Sequence, residues 1–231
     1  MEKKYQIILM LLLFIFLTFI SFLFSPFFHI REFVVHSRNE INKNDLRTYI
    51  SQFYGENLLF LNEESLKNNL LNHNLISAIQ IKKSFPSTVH IIIEERTAVA
   101  WLKNNGKKLI FSADGIILAE KDADTAVNIP EIEGFAYYFE DDKIIFPLLI
   151  DQLLKDFSDL NKEYLAEIRK ITYKNNSFKL YLTEGGGVNL GENKNLEKKL
   201  AILNSILKNN KEEQIDYINL EVSKHPVIKL K

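Results

Sequence analysis

The stretch Ile76–Glu95, ISAIQIKKSFPSTVHIIIEE, decides the reading of the first folded part of the chain. Val89, Ile91 and Ile93 alternate with His90, Ile92 and Glu94, the period-two pattern of a strand with one well-buried face. Ile76–Lys83 reads as a second strand, with Ser84-Phe85-Pro86-Ser87 as the turn between them. Upstream, Leu46, Tyr49, Ile50 and Phe53 fall at i, i+3, i+4 and i+7 and mark a helix, capped by Asn42 or Asn44 and stopped by Gly55. A second helix begins at Asn62, with Glu63 and Glu64 set against the positive end of the helix dipole and Leu66 and Leu70 facing inward. Ile30–His36, IREFVVH, is β-branched and aromatic and reads as a strand. The order is therefore β-α-α-β-β.

Ahead of this lies Ile7–Phe24, IILMLLLFIFLTFISFLF, whose only polar members are Thr18 and Ser21. At about 1.5 Å per residue it reaches about 27 Å, close to a hydrocarbon core of ~30 Å, and Phe27 and Phe28 extend it. Residues 1–6 are expected as a cytoplasmic tail and 7–26 as a transmembrane anchor. Lys3 and Lys4 place the tail inside and everything after the anchor outside. The competing reading is a cleaved signal peptide. Its apolar core is usually only ~7–15 residues and is followed by small residues, whereas this run is longer and ends in phenylalanines.

With 29 basic and 30 acidic side chains in 231 residues the net charge is −1, which gives no electrostatic reason to expect nucleic acid as a partner. Cys is absent, so a thiol nucleophile, disulfides and Cys-ligated zinc or iron–sulfur sites are excluded. The five histidines, at 29, 36, 73, 90 and 225, form no local metal-ligand spacing. Glu140-Asp141-Asp142 lacks the glycine and spaced oxygens of a calcium loop, and Gly185-Gly186-Gly187 leads into Val188 rather than a phosphate-binding Lys-Ser/Thr. Ser205-Ile206-Leu207-Lys208 matches S-x-x-K, but neither S-D-N nor K-T-G accompanies it, and there is no G-x-S-x-G elbow. No catalytic residue, metal site or cofactor is expected.

Beyond residue 97, Ala100–Leu118 carries turn signals at Asn104-Asn105-Gly106 and Asp114-Gly115 between apolar runs, a β-meander in which Trp101 is a packing residue. Pro147 opens a helix carrying Leu148, Leu149 and Leu153. Residues 169–174 and 177–183 make a hairpin about Asn175-Asn176, and the three glycines turn into Val188-Asn189-Leu190. Leu196, Leu200, Leu203 and Leu207 recur at helical spacing behind Asn195. Tyr217–Val222 and Val227–Leu230 close the chain as strands around Lys224-His225-Pro226. Residues 98–160 carry a net −6 and 161–231 a net +4, complementary as two parts of one domain can be. A final strand often lies at a sheet edge, where unpaired N–H and C=O groups invite another strand. Lys224, Lys229 and Lys231 could equally act as blockers of such an edge, and the residues alone leave both readings open.

Several runs of residues bear a resemblance, in order and spacing, to one family. A single anchor leads into Phe28-His29-Ile30-Arg31-Glu32-Phe33-Val34-Val35. Next come Gly55-Glu56-Asn57-Leu58-Leu59-Phe60, Lys83-Ser84-Phe85-Pro86-Ser87-Thr88-Val89 and Glu94-Glu95-Arg96-Thr97-Ala98-Val99-Ala100-Trp101. The series continues through Asp114-Gly115, Ile129-Pro130-Glu131-Ile132-Glu133-Gly134, Gly187-Val188-Asn189-Leu190-Gly191 and Ile215-Asp216-Tyr217-Ile218-Asn219-Leu220. Taken together the chain resembles the FtsQ/DivIB bacterial cell division family, whose first outer domain is a POTRA domain. It departs from the family pattern at Ala98, where Pro is usual, at Ser112, where Asp is favoured, and at Glu221, where Arg is common.

The resemblance implies an α+β protein: one anchor, a small POTRA-like domain over 27–97, and a larger mixed α/β domain over 98–231 with an extended, mainly antiparallel sheet. It also implies a non-enzymatic division scaffold that binds FtsB/DivIC and FtsL outside the membrane and helps recruit or regulate the septal peptidoglycan synthase complex. The matching partner-binding span is Asn219, Leu220, Glu221, Val222, Val227, Ile228, Lys229 and Leu230, with Val222 and Leu230 standing where some relatives have aromatics. The short tail is more similar to the FtsQ-like branch than to the DivIB-like one. The alternative readings are a POTRA-type chaperone of secretion or outer-membrane assembly, disfavoured by the absence of tandem POTRA repeats, and a secreted cell-wall enzyme with its leader removed.

Overall fold

The run Ile7–Phe24, apolar but for Thr18 and Ser21, lies almost wholly within one long helix, α1, Glu2–Leu23, whose side chains are exposed along most of its length and meet the following segment only at its end, where Phe22 packs against Phe27 and Phe28. A computed structural model gives the fold and describes residues 2–38, 41–158, 162–192, 194–210, 214–223 and 225–231. The segment Lys3–Phe28 is long and apolar enough to cross a membrane. The chain divides into two compact units, residues 1–96 and 97–231.

In the first unit, β1 (Glu32–His36), α2 (Lys43–Ile50), α3 (Glu63–Leu71), β2 (Ile76–Ser84) and β3 (Thr88–Glu95) follow the expected order. β3 is the central strand of a three-stranded sheet, parallel to β1 (Phe33 beside Val89) and antiparallel to β2 (Ile81 beside Ile91). Val89, Ile91 and Ile93 turn to the helices and are buried with Leu46, Ile50, Leu66 and Leu70. Of the two candidate caps, Asn42 closes α2: its side-chain oxygen accepts the Asn44 N–H at 3.0 Å. Asn62 does the same for α3, accepting the Ser65 N–H at 3.0 Å. The first helix ends earlier than its apolar stripe, at Ile50. Phe53 still reaches the core, from a 3-10 turn over Ser51–Phe53.

The second unit comprises β4 (Ala98–Asn104), β5 (Lys107–Ser112), β6 (Ile117–Asp122), β7 (Glu131–Glu133), β8 (Tyr138–Glu140), β9 (Lys143–Ile145), α4 (Leu148–Ser158), α5 (Lys162–Ala166), β10 (Ile168–Lys174), β11 (Ser177–Leu182), β12 (Gly187–Gly191), α6 (Leu196–Asn209), β13 (Ile215–Asn219) and β14 (Val227–Leu230). Nine strands join one sheet in the order β14-β13-β12-β11-β10-β7-β4-β5-β6, while β8 and β9 pair apart from it. Five of its eight pairings are antiparallel; β12–β13, β10–β7 and β7–β4 are parallel. The Asn105-Gly106 and Asn175-Asn176 loops have φ of 48°, 80°, 52° and 61°, the left-handed pairs that a two-residue hairpin turn requires. Trp101 packs half-buried, with Lys108 Nζ 4.8 Å from its ring centre. The helices α4 and α6 bury Leu153, Leu154, Phe157, Leu200, Leu203 and Leu207 with the sheet residues Phe178, Leu180, Val188 and Ile218.

Three expectations for this unit change. Pro147 lies just ahead of α4, its carbonyl accepting the N–H groups of Ile150 and Asp151, and Leu148 at the first position is 84% exposed. The closing strand β13 starts at Ile215 and ends at Asn219, so Leu220 lies beyond it. The short strands β7, β8 and β9 were not foreseen.

Candidate partner-binding edge

The large sheet ends on one side at β6 and on the other at β14, which among the described residues pairs only with β13. Its register sets Asn219 beside Val227, Ile218 beside Ile228 and Tyr217 beside Lys229, with a bulge between Ile215 and Tyr217. The direction of its backbone groups follows from two hydrogen bonds. Lys231 donates to the Gln214 carbonyl at 2.9 Å, and Leu220, on the other side of β13, donates to the Asn189 carbonyl at 2.8 Å. Backbone groups alternate sides along a strand. The N–H and C=O of Val227 and Lys229 therefore face β13, and those of Ile228 and Leu230 face away from the sheet.

All four residues of β14 are exposed: Val227 is 58%, Ile228 40% and Leu230 43% accessible, and Val222 in the preceding loop is 58% accessible. Lys229 folds back on the open face to pair with Asp216, Nζ to Oδ2 2.7 Å. That hydrogen bond raises the lysine pKa and lowers that of the aspartate. Tied to Asp216 in this way, Lys229 leaves the outward backbone groups of Ile228 and Leu230 uncovered. Lys231 is exposed, and Lys224 lies outside the described residues.

The eight expected contact residues are thus not equivalent. Leu220 is fully buried in the core, so its side chain holds the end of β13 rather than meeting a partner. Asn219 is half-buried and its side chain accepts the Glu221 N–H at 3.0 Å, shaping the bend out of the strand. Glu221, Val222, Val227, Ile228, Lys229 and Leu230 remain on the surface. Two tyrosines escaped the sequence reading. Tyr181 on β11 and Tyr217 on β13 both lie level with Gly187, 37% and 39% exposed, on the open face beside Lys229. Their alternation with buried Leu180, Leu182 and Ile218 was the signal.

Lys199 supports the edge from behind. This lysine of α6 is buried, and its ammonium donates to the carbonyls of Leu190 (2.6 Å) and Glu192 (3.0 Å) at the end of β12. Burial lowers its pKa, opposed by the nearby Glu221 and Glu192 charges. Gly186, at φ 100°, sits where a Cβ would run into the Ile215 carbonyl, so only glycine lets β12 approach β13 this closely.

Elsewhere the fold assembles little chemistry. His36 and His90 meet across β1 and β3, Nε2 to Nδ1 3.3 Å, an approach between distant residues that spacing could not reveal. Among the described residues no three potential ligands gather. A cavity of about 330 Å³ is lined by Glu167, Leu182, Thr183, Gly185, Leu207 and Ile215, among others. Its threonine hydroxyl donates to the Ala166 carbonyl at 2.9 Å.

These features define a two-unit protein with an N-terminal helix long and apolar enough to cross a membrane and a large sheet whose terminal strand β14 is exposed at its edge. The family models agree with that outline. Residues 28–96 match the POTRA domain, FtsQ-type, and residues 99–221 match Cell division protein FtsQ/DivIB, C-terminal, the latter alone more than half of the chain. The chain belongs to the FtsQ/DivIB family of bacterial cell division proteins. It is similar to Cell division protein DivIB of Clostridium tetani, 26% identical over 89% of this chain and 81% of that protein. To the Staphylococcus aureus protein of the same name it is 24% identical over 78% of this chain but only 39% of the longer relative. A solved structure of the extracytoplasmic domain of DivIB from Geobacillus stearothermophilus aligns with 52% of this chain and 97% of that one, at 16% identity and a TM-score of 0.38.

Proposed function

We propose that this chain is a non-enzymatic division scaffold, anchored by α1 with its N-terminus in the cytoplasm, that binds the outer segments of FtsB/DivIC- and FtsL-type proteins by strand addition to β14. Through them it helps recruit or regulate septal peptidoglycan synthesis at the division site. The observation that carries the reading is the outward row of backbone groups at Ile228 and Leu230, on an outermost strand flanked by the exposed apolar side chains of Val222, Val227 and Leu230. Lys3 and Lys4, in the first turn of α1 ahead of its apolar run, support the orientation. Family membership supports the division role.

The test is a pull-down with the full chain in nanodiscs, using the outer segments of the host's FtsB/DivIC and FtsL as bait. Val222→Lys sets a charge beside the edge without touching the core and is expected to weaken capture strongly. Full-strength capture by Val222→Lys moves the site elsewhere, and no capture by the unaltered chain removes the partner assignment. Ending the chain at Asp216 is a poorer test, because it also removes Ile218 and Leu220 from the core.

A further inference from the structure

Outside α1, the exposed large apolar side chains among the described residues of the first unit are all aromatic: Phe24, Phe27, Tyr54, Phe60 and Phe85. They come from three separate segments, and the hydrogen bonds bring those segments to one end of the domain. Asn57 Nδ2 donates to the carbonyl of Leu23, the last residue of α1, at 2.7 Å, and Leu58 N–H donates to the Phe28 carbonyl at 2.8 Å. Gly55 N–H donates to Ile30, and Ile30 N–H to Glu56. Arg31 N–H donates to Ser87 at 2.9 Å, which ties the turn carrying Phe85 to the same exit, and Lys83 joins that turn to the neighbouring loop through Leu61 and Glu63. Phe60, 57% exposed, stacks on Phe24 with ring centres 5.0 Å apart. The opposite end of the sheet, around Arg38, Asn72 and Ser77, presents exposed polar side chains.

A helix leaves its last carbonyls without partners, which is costly at the lipid boundary. Here the domain supplies one, Asn57, so the loop over residues 54–60 sits at the depth where α1 ends. Aromatic rings favour that layer, apolar on one side and hydrated on the other. We propose that this end of the first unit is seated in the headgroup layer of the leaflet that α1 leaves, with Phe24, Phe27, Phe60 and Phe85 as its contacts to lipid. The proposal rests on α1 spanning the bilayer. The domain is then held against the membrane at several points and does not swing on a single tether.

The test uses the full chain in vesicles doped with brominated phospholipid. Trp101 is the sole tryptophan, so Trp101→Phe gives a silent background for single probes at Phe14→Trp, Phe60→Trp, Phe85→Trp and Ser77→Trp. The Phe14 probe reports on the anchor: if it is unquenched, the spanning reading fails, and this proposal with it. With the Phe14 probe quenched, blue-shifted and quenched emission from the Phe60 and Phe85 probes, and none from Ser77, supports the seating. Quenching at Phe14 alone overturns the seating and leaves the anchor standing. Quenching that includes Ser77 overturns an end-on arrangement. Because the chain has no cysteine, Phe85→Cys carrying a nitroxide gives an independent depth by relaxation with oxygen and a nickel chelate. An aqueous depth there refutes the seating even if a tryptophan variant misfolds.

Discussion

Ile228→Pro separates the outward face of β14 from its inward face. The Ile228 N–H faces away from β13, so losing it leaves the ladder intact, and proline's fixed φ is tolerated on an edge strand. Ile228 is 40% exposed, so the lost apolar burial costs about 1 kcal/mol of stability at most. An incoming strand fares worse. It loses one hydrogen bond, net about 0.5–1.5 kcal/mol, and its own carbonyl is left facing the ring, a further ~1–3 kcal/mol if that carbonyl is buried. A total of roughly 1.5–4.5 kcal/mol corresponds to a Kd weaker by about 10-fold to more than about 1,000-fold. Titration calorimetry of the full chain in nanodiscs with the partner segments measures it, beside a urea melt of the same variant. Lys229→Pro is the counterpart: it removes a ladder donor, frays β14 itself and lowers the melt. If Ile228→Pro binds within about twofold of the unaltered chain, under ~0.5 kcal/mol, while its melt is unchanged, strand addition at β14 is wrong.

Leu220→Ala should cost about 2–5 kcal/mol in a urea melt, because the side chain is fully buried where β13 ends; a cost below ~1 kcal/mol would contradict its place in the core. Gly186→Ala and Gly106→Ala form a matched pair in thermal melts. Both have positive φ, 100° and 80°, but only at Gly186 does a Cβ meet the backbone of Ile215. Gly106→Ala is expected to cost about 1 kcal/mol and Gly186→Ala clearly more, and equal losses would rule out the close approach of β12 to β13. Tyr164 has a buried hydroxyl with no hydrogen-bond partner among the described residues, and burial pushes its pKa far above the ordinary range. The unfolded phenol ionises near pH 10 and the folded one keeps its proton. Above that pH the unfolded state binds fewer protons, and stability falls by about 1.4 kcal/mol per pH unit. Tyr164→Phe should remove this slope in urea melts at alkaline pH and leave neutral stability unchanged or up to ~1 kcal/mol higher; an unaltered slope refutes the assignment.

The first unit was legible because its strands and helices are long enough to show their periods: Val89, Ile91 and Ile93 on one face, Leu66 and Leu70 on another, and asparagine caps where helices had to begin. In the second unit the hairpins announced themselves through Asn-Gly and Asn-Asn, whose left-handed backbone few other pairs accept. The strands β7, β8 and β9 have three residues each, too few for alternation to separate from chance. Leu148 was misjudged because a helix's first residue can project past the layer it leads into. The edge position of β14 followed from the chain order and the resemblance, but which of its backbone groups face outward depends on register, which hydrophobicity does not specify on a strand exposed on both faces. The clustering of Phe24, Phe60 and Phe85, like the meeting of His36 and His90, joins residues far apart in sequence and exists only once the sheet has paired.

The strand β7 has a mechanical consequence. Among the described residues it is the sole ladder link between the β4–β6 half of the sheet and the β10–β14 half, touching β10 through three residue pairs and β4 through one, Trp101 with Glu131. The core beneath does not divide there: Val99, Leu102 and Phe111 share one cluster with Phe178, Val188 and Ile218, and α4 and α6 contribute to it throughout. The sheet behaves as two plates laminated to a common backing, with only a narrow seam between them. A load taken up at β14 therefore reaches the far plate chiefly through side-chain packing, the hydrogen-bonded path narrowing to β7. One edge can be tugged, peeled or exchanged while the other keeps its shape.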